Sequence, residues 1–354
     1  MSRRCRLDPS IFNLPVDRMR SGYYSDKYFV RAREVLLADN HHPDVVMQVF
    51  GRSDAYLGGI DEAIAILKLC SFEWDDLEVR ALYDGDHVEP YEPVLTIKGP
   101  YDAFAHLETL YLGVLARRTR VGTNTRRVVE AARPKDVMFF PARHDHWLVQ
   151  TGDGYAAHVA GAIGVSTDAQ ASWWGSEGVG TVPHSLIAAY GGDSVKASVK
   201  FAEYMPERAR LVSLVDFEND CVHTSVAVAR VLGRKLYGVR IDTASTVVDV
   251  SVVAEMGNFD PTGVNPRLVW NVRNALDKER FDYVKIIVSG GFTVEKIRAF
   301  EEAGVPVDAY GVGSSLFRGY GEFDFTADVV LVNGRPCAKV GRQYTENDRL
   351  DLVE

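Results

Sequence analysis

The chain has 354 residues, of which 46% are hydrophobic, and its formal net charge is −9. This length predicts two domains, or one barrel with an addition, around a large core. Acidic and basic residues are mixed along the chain, which argues against a nucleic-acid surface, although a few local arginines could still bind a phosphate.

The sequence also argues against a membrane or secreted protein. Its longest apolar runs fall far short of the ~20 residues that span a bilayer. The basic N-terminus is not followed by the apolar segment of a signal peptide, so we expect a cytoplasmic protein. Neither a zinc site nor a disulfide is expected from the scattered cysteines, which are Cys5, Cys70, Cys221 and Cys337.

The N-terminal third alternates helical and strand patterns. Apolar residues spaced by three and four predict helices, and short apolar runs between turn residues predict strands. The predicted helices are SDKYFVRAREVLLADN, GIDEAIAILKLC and FAHLETLYLGVLARRT, and the predicted strands are VVMQVFGR and YEPVLTIKGPYD.

After residue 119, buried strands alternate with helices, which is typical of a parallel sheet and of a β/α barrel. The strands are KDVMFFPAR, LVSLVD, LYGVRIDT, DYVKIIVSGG and VDAYGVGSS. We predict an α/β fold with an N-terminal α/β domain (1–118) and an irregular β/α barrel (119–328). The tail (329–354) contains an NG turn, which predicts a hairpin that returns to and completes the N-terminal domain.

Polar residues and glycines recur where the barrel strands end. Such ends share one rim of a β/α barrel, and that rim carries the active site, whereas the alternative is ordinary loop chemistry. The residues are Arg143, Asp216, Arg240, Asp242, Ser289, Gly290, Gly291, Gly311, Gly313 and Ser314.

Two glycine segments, Ser289–Gly291 and Gly311–Ser314, follow the last two strands and are expected to precede helices. Glycine lets backbone N–H groups approach a phosphate closely, and a helix N-terminus favours its charge. Neither segment has the spacing of a Walker loop or a Rossmann fingerprint. Their position predicts a sugar-phosphate site.

Three further residues have both a chemical and a structural interpretation. Asp216 and Asp242 could bind Mg²⁺ or ribose hydroxyls, or they could cap helices. His184 follows a glycine turn and Pro183 at a helix start. The helix dipole disfavours the imidazolium there, so His184 could accept a phosphoryl group, although a structural role is the common one for a lone histidine.

In their order along the chain these segments resemble the nicotinate phosphoribosyltransferase family, a branch of the type II phosphoribosyltransferases. The motifs that carry the resemblance are YSDKYF, EPVLTIKGPYDAFAHLETLYLG, GTNTRRVVEAA, FFPARHDH, GVGTVPHSLI, VRIDT, VSGG and GVGS.

The resemblance implies an activity that joins nicotinate to phosphoribosyl pyrophosphate (PRPP), with Mg²⁺ as cofactor and ATP as co-substrate. His184 would be phosphorylated by ATP. Phe140 and Tyr28 would sandwich the pyridine ring, with Tyr28 coming from the partner subunit of a homodimer. Arg143 would contact the nicotinate carboxylate or PRPP.

The same resemblance implies how PRPP is bound. Arg240 and Asp242 would hold its pyrophosphate and ribose, and Asp216 would join Asp242 at the Mg²⁺ ion. The strand-end glycines would surround the 5′-phosphate. One departure concerns the nicotinate site, where the family often has two arginines in FGxRR and this chain has a histidine, His144, after Arg143.

Four alternatives remain open. Nicotinamide enzymes carry an aspartate where this chain has Ser166, which can donate to a carboxylate, but a one-residue shift would bring Asp168 there instead. A quinolinate enzyme needs a more basic pocket, for which only Arg143, Lys27 and Arg126 are candidate cations.

A barrel aldolase or isomerase would need a Schiff-base lysine or a general-base carboxylate. A non-catalytic nucleotide-binding dimer would be supported by the loss of His184, Asp216 and Asp242, and all three are present.

Overall fold

A computed structural model describes residues 4–206, 210–318 and 321–354. The chain divides into two compact units, Met1–Thr123 with Gly319–Glu354, and Asn124–Arg318. The sequence placed these divisions after residues 118 and 328. In the structure a single helix, Glu108–Ala132, runs across the first division and continues well beyond the predicted segment.

Unit 1 is built on an antiparallel sheet of six strands. Numbered along the chain and given in their order across the sheet, they are β13 (Arg335–Pro336), β12 (Phe325–Val332), β1 (Asp44–Gly51), β5 (Pro93–Pro100), β3 (Glu78–Ala81) and β14 (Asp351–Leu352). A separate pair comprises β2 (Ala55–Tyr56) and β4 (His87–Val88).

The C-terminal tail returns to unit 1, as predicted. Strand β12 pairs along β1, and β12 and β13 form a hairpin. Its turn residues Asn333 and Gly334 have φ of 48° and 73°, which is the left-handed conformation that an Asn-Gly hairpin turn requires. The N-terminal α/β domain is therefore completed by the end of the chain.

Helices cover the sheet of unit 1, and the predicted ones are all present. They are α1 (Val16–Arg20), α2 (Lys27–Ala38), α3 (Ile60–Cys70), α4 (Tyr101–Phe104) and α5 (Glu108–Ala132). Alternate residues of the strands, such as Val49 and Ile97, pack against Ile66 and Tyr111 of the helices in one apolar core. Removal of this apolar surface from water stabilises the unit.

Unit 2 contains a parallel six-stranded sheet that forms half of a barrel, which confirms the predicted fold class. Across the sheet the strands are β7 (Gly164–Val165), β6 (Asp136–Phe139), β11 (Ala309–Val312), β10 (Lys285–Val288), β9 (Leu236–Ile241) and β8 (Leu211–Leu214). All five neighbouring pairs are parallel, so all six strands end at the same edge.

In the described part of unit 2 there are eight further helices. They are α6 (Gln150–Val159), α7 (Asp168–Ala171), α8 (His184–Ala189), α9 (Ser194–Tyr204), α10 (Cys221–Leu232), α11 (Val250–Val253), α12 (Pro266–Lys278) and α13 (Val294–Glu302). Side-chain caps fix several helix starts: Asn265 precedes α12, whose first residue is proline, and Thr293 precedes α13. Among the described residues, no helix is long and apolar enough to cross a membrane.

Candidate active site

A cavity of about 610 Å³ opens at the edge where the six parallel strands end. Each strand except β8 contributes wall residues from its last position or from the loop that follows it. The predicted site residues that line it are Phe140, Arg143, Ser166, His184, Arg240, Asp242, Ser289, Gly290, Gly291, Gly311, Gly313 and Ser314. The structure therefore brings together residues that are up to 174 positions apart.

His184 is the first residue of α8, as predicted, and it reaches into this cavity. Its Nε2 atom lies 3.1 Å from Oδ2 and 3.2 Å from Oδ1 of Asp216. The Asp216 side chain is only 8% exposed, whereas that of His184 is 45% exposed. Asp216 therefore orients the imidazole from its buried side.

The protonation of Asp216 is set by opposing influences. Burial raises the pKa of its carboxyl, the neighbouring His184 lowers it, and the charge of Asp242 raises it again. The capping alternative does not apply to Asp216, because Asp220 caps α10 by accepting a hydrogen bond from the backbone N–H of His223.

Arg240, Asp242 and Ser289 form a second polar group on the cavity wall. The Ser289 hydroxyl donates to Asp242 Oδ1 at 2.8 Å, and Arg240 Nη2 lies 3.7 Å from Asp242 Oδ2. Burial lowers the pKa of Arg240, which the two nearby aspartates counteract. The buried Nε of Arg240 has no hydrogen-bond partner among the described residues.

The two glycine segments take different forms. Gly290 and Gly291 have φ of 88° and 71°, and a Cβ on Gly290 would lie 3.2 Å from Asp242 Oδ1. Glycine is therefore needed at Gly290 both for the backbone and for the close approach. As predicted, this segment leads into α13. In the second segment, Gly311 and Val312 still belong to β11. The segment leads into a 3-10 turn, Ser314–Leu316, and not into the predicted helix.

The cavity wall also carries aromatic and basic residues. The Phe140 ring lies over Gly311, where a Cβ would come within 2.7 Å of the ring. Arg143 and His144 follow in a 3-10 turn, Ala142–His144, and both line the cavity. Burial first, and then the charges of Arg143 and Arg318, lower the pKa of His144.

The remaining predicted residues lie elsewhere or make other contacts. Ser166 reaches the cavity, but its hydroxyl donates to the carbonyl of Phe139 at 3.2 Å. Tyr28 is 63% exposed on α2 of unit 1. Arg126 lies on α5 and pairs with Glu130 at 2.8 Å. His146 is exposed, and its Nδ1 accepts from the N–H of Leu148.

Sequence reasoning missed part of the wall. Val179, Gly180, Thr181 and Ser185 flank His184, and Ser315 follows the last glycine segment. The GVGTVPHS motif did contain four of these residues, but no pattern indicated that the residues before His184 face the same cavity as the strand ends.

Known proteins share this architecture. The N-terminal domain profile of quinolinate phosphoribosyl transferase matches residues 26–119. A nicotinate phosphoribosyltransferase from Mycobacterium tuberculosis, pncB2, is 24% identical over 83% of this chain and 66% of its own length. The crystal structure of a nicotinate-nucleotide pyrophosphorylase from Pyrococcus furiosus is 33% identical, with a TM-score of 0.80, and the match covers 96% of this chain and 85% of that one.

The chain belongs to the nicotinate phosphoribosyltransferase family of the type II phosphoribosyltransferases. The crystal structure of human nicotinic acid phosphoribosyltransferase has the same fold, with a TM-score of 0.68 at 16% identity over 91% of this chain and 77% of that one. The chain spans about two thirds of the length of the mycobacterial member of the family.

Proposed function

We propose that this chain is a nicotinate phosphoribosyltransferase, which joins nicotinate to PRPP and releases nicotinate mononucleotide and pyrophosphate in NAD salvage. One observation carries the proposal: a single cavity combines an aromatic and a basic side chain, Phe140 and Arg143, with Arg240, Asp242 and the strand-end glycines. The first pair suits an anionic pyridine, and the second group suits a sugar phosphate.

In this reaction the pyridine nitrogen attacks C1 of the ribose, and the bond from C1 to the pyrophosphate oxygen breaks with its electron pair. The nitrogen already carries a lone pair, so the protein contributes mainly positioning and charge stabilisation. Arg240 would stabilise the charge on the departing pyrophosphate, because its side chain lines the cavity. Asp242 would hold the ribose hydroxyls.

The residues present fit a magnesium ion better than a metal held entirely by protein. Among the described residues, no group of three or more His, Cys, Asp or Glu side chains is arranged to bind a metal. Mg²⁺ typically uses one or two carboxylates and completes its shell with phosphates and water. Asp242 would be the direct ligand, since Asp216 is turned towards His184. The ion would neutralise charge on the pyrophosphate.

His184 would couple ATP hydrolysis to synthesis through a phosphohistidine. The contact with Asp216 favours the tautomer with its proton on Nε2, which leaves the lone pair on Nδ1. Nδ1 would accept the γ-phosphoryl group of ATP with release of ADP, and water would then cleave the phosphoramidate. Asp216 would stabilise the positive charge that develops on the ring during the transfer.

We also propose a homodimer with shared sites, in which Tyr28 stacks on the pyridine ring bound by the partner subunit. Tyr28 is exposed and lies in unit 1, so its ring is available to a second copy of the chain. Mixing Tyr28→Ala with Asp242→Asn should restore activity if the sites are shared. No recovery after confirmed subunit exchange would exclude sharing.

Two alternative substrates belong to the same chemistry. Quinolinate is suggested by the names of the matched profile and of the Pyrococcus structure, but it carries two carboxylates. Among the described residues, the basic side chains that line the cavity are Arg143, Arg240, His144 and His184.

Nicotinamide would need a hydrogen-bond acceptor near Ser166. The Ser166 hydroxyl donates its one proton to the carbonyl of Phe139, so it cannot also donate to a nicotinate carboxylate, although it can still accept from an amide. Asp168 accepts from the N–H of Gly178 at 2.8 Å, so its carboxylate already has a partner.

The test is a substrate panel. The pure protein is incubated with PRPP, Mg²⁺ and ATP, together with nicotinate, nicotinamide or quinolinate, and the products are measured by mass. Nicotinate mononucleotide formed from nicotinate at the highest kcat/KM supports the proposal. Preference for nicotinamide, or release of CO₂ from quinolinate, would replace it with the corresponding alternative.

The phosphohistidine has a separate test. ATP labelled at the γ-phosphate should leave acid-labile, base-stable label on the wild type, and His184→Ala should remove both the label and ATP hydrolysis. A slow ATP-independent synthesis should remain, because the PRPP contacts do not involve His184. His146→Ala is the matched control and should keep the label. Label that persists in His184→Ala would assign it to another histidine.

A further inference from the structure

The Arg143 turn and the Ser166 turn come from neighbouring strands, and both line the cavity. Arg143 follows β6, and Ser166 follows β7, which pairs with β6 in parallel. The residues after Arg143 are exposed, and Trp147 has 69% of its surface open to solvent. The position of Arg143 therefore depends on the contacts at the ends of this segment.

Gln150, the first residue of α6, connects the two turns. Its Nε2 donates to the carbonyl of Ala142 at 3.2 Å, which belongs to the peptide joined directly to Arg143. Its Oε1 accepts from the Thr167 hydroxyl at 3.0 Å, and Thr167 follows Ser166 directly. One amide side chain thus spans the gap between the two turns.

The direction of this hydrogen-bond chain is fixed. A carbonyl can only accept, so the amide NH₂ of Gln150 must face Ala142 and its oxygen must face Thr167. Thr167 can then donate to Gln150, because its oxygen accepts from the backbone N–H of Gln170 at 3.2 Å. No other arrangement of the amide satisfies both partners, so the three groups hold one geometry.

The Ser166 side of this chain is rigid. Gln170 is 1% exposed, and its Oε1 accepts from the N–H of Ser166 at 3.0 Å. Helix α6 packs closely on it, since a Cβ on Gly154 would lie 2.3 Å from the Gln170 carbonyl oxygen. The Ser166 turn is therefore a fixed reference, and Gln150 ties the more exposed Arg143 turn to it.

We propose that Gln150 is a positioning residue that sets the distance between Arg143 and the Ser166 turn, and thereby the affinity for the carboxylate of the pyridine substrate. This rests on the proposed function for the identity of that substrate. Gln150 itself does not line the cavity; it acts through the backbone to which Arg143 is attached.

The first experiment needs no activity. Trypsin cleaves after arginine, and the Arg143–His144 bond lies in an exposed turn. Gln150→Met removes both hydrogen bonds at nearly constant size, so it should increase cleavage at this bond about fivefold, as the loss of local hydrogen bonds predicts. Gln343→Met makes the same change at an exposed position of unit 1 and should leave the rate unchanged.

The second experiment uses the KM of each substrate. Gln150→Met should raise the KM for nicotinate about tenfold, while kcat and the KM for PRPP stay within about twofold. Gln150→Glu keeps the acceptor for Thr167 but cannot donate to Ala142, so it should raise the same KM as well. It also serves as the second variant if Gln150→Met fails to fold.

A double-mutant cycle tests whether Gln150 acts through Arg143. In an Arg143→Ala background, Gln150→Met should have little further effect, whereas in a Ser289→Ala background its full effect should remain. An unchanged KM for nicotinate in a folded Gln150 variant, or additive effects with Arg143→Ala, would overturn the proposal. A wild type that makes no mononucleotide would instead refute the proposed function, and the trypsin comparison would still decide whether Gln150 holds the turn.

Discussion

The two units use sheets of opposite kind, and this difference decides where the polar chemistry collects. In unit 2 all neighbouring strands are parallel, so the residues after Ile241, Val288 and Val312 meet at one edge. In unit 1 the main strands are antiparallel, and their ends are divided between two edges. In a parallel sheet, the residues that follow successive strands therefore come together in one site.

Two buried ionisable residues of unit 1, Glu108 and His106, differ from Arg240 of unit 2, which has a counter-charge nearby. In unit 1, burial raises the pKa of Glu108 to about 8 and lowers that of His106 to about 4. Neither residue has a charged partner of opposite sign that would offset the burial, among the influences on its pKa. In unit 2, Asp242 and Arg240 face each other across the cavity wall. Burial of Glu108 and His106 thus affects the stability of unit 1, whereas burial of Arg240 changes the pKa of a residue of the candidate site in unit 2.

The largest effect that separates the units is expected from Asp242→Asn. Loss of the charge weakens the proposed contact with ribose or Mg²⁺, while the amide oxygen can still accept from Ser289, so kcat/KM for PRPP should fall at least ~100-fold with an unchanged thermal midpoint. Asp84→Asn makes the same chemical change in unit 1, where Asp84 Oδ1 accepts from the backbone N–H of Ile60 at the start of α3. It should leave kcat/KM within about twofold. Equal losses in both variants would end the contrast between the units.

A smaller effect is expected from added methyl groups. Gly311→Ala would place a Cβ 2.7 Å from the Phe140 ring, which must shift, so the KM for nicotinate should rise about tenfold. Gly113→Ala on α5 has no atom within 4 Å of the new Cβ and should stabilise the helix by ~0.5–1 kcal/mol. Kinetics and thermal unfolding of both variants measure this. A normal KM in Gly311→Ala would remove Phe140 from the pyridine site.

The smallest effect concerns the pH dependence of stability. Glu108 has a pKa of about 8 in the folded chain against 4.5 ordinarily, so the folded state holds a proton that the unfolded state releases. Its contribution is therefore present below pH 4.5 and is lost as the pH rises towards 8. Glu108→Gln should remove most of this loss, so its gain in stability over the wild type should be much larger at pH 8 than at pH 5. Denaturant unfolding at both pH values checks it, and a pH-independent difference would contradict the assignment.

Much of the fold could be predicted because it depends on local periodicity. The apolar runs LVSLVD and KIIV became buried strands, and the spacing in α3 and α12 became helices with one buried face. The predicted helix after Gly313 was wrong, since polar and glycine residues do not distinguish a helix start from a 3-10 turn. The extent of α5 was underestimated for a related reason: its second half, GTNTRRVVEAA, is too polar to show a helical stripe.

The sequence by itself determined which residues stand at strand ends, that His184 begins a helix, and that the tail forms a hairpin, because each depends on neighbours within a few positions. Only the tertiary structure decided the strand order, the turning of Asp216 towards His184, the bond from Ser166 to Phe139 and the link through Gln150. These depend on distances and angles between segments far apart in the chain, which no local pattern records.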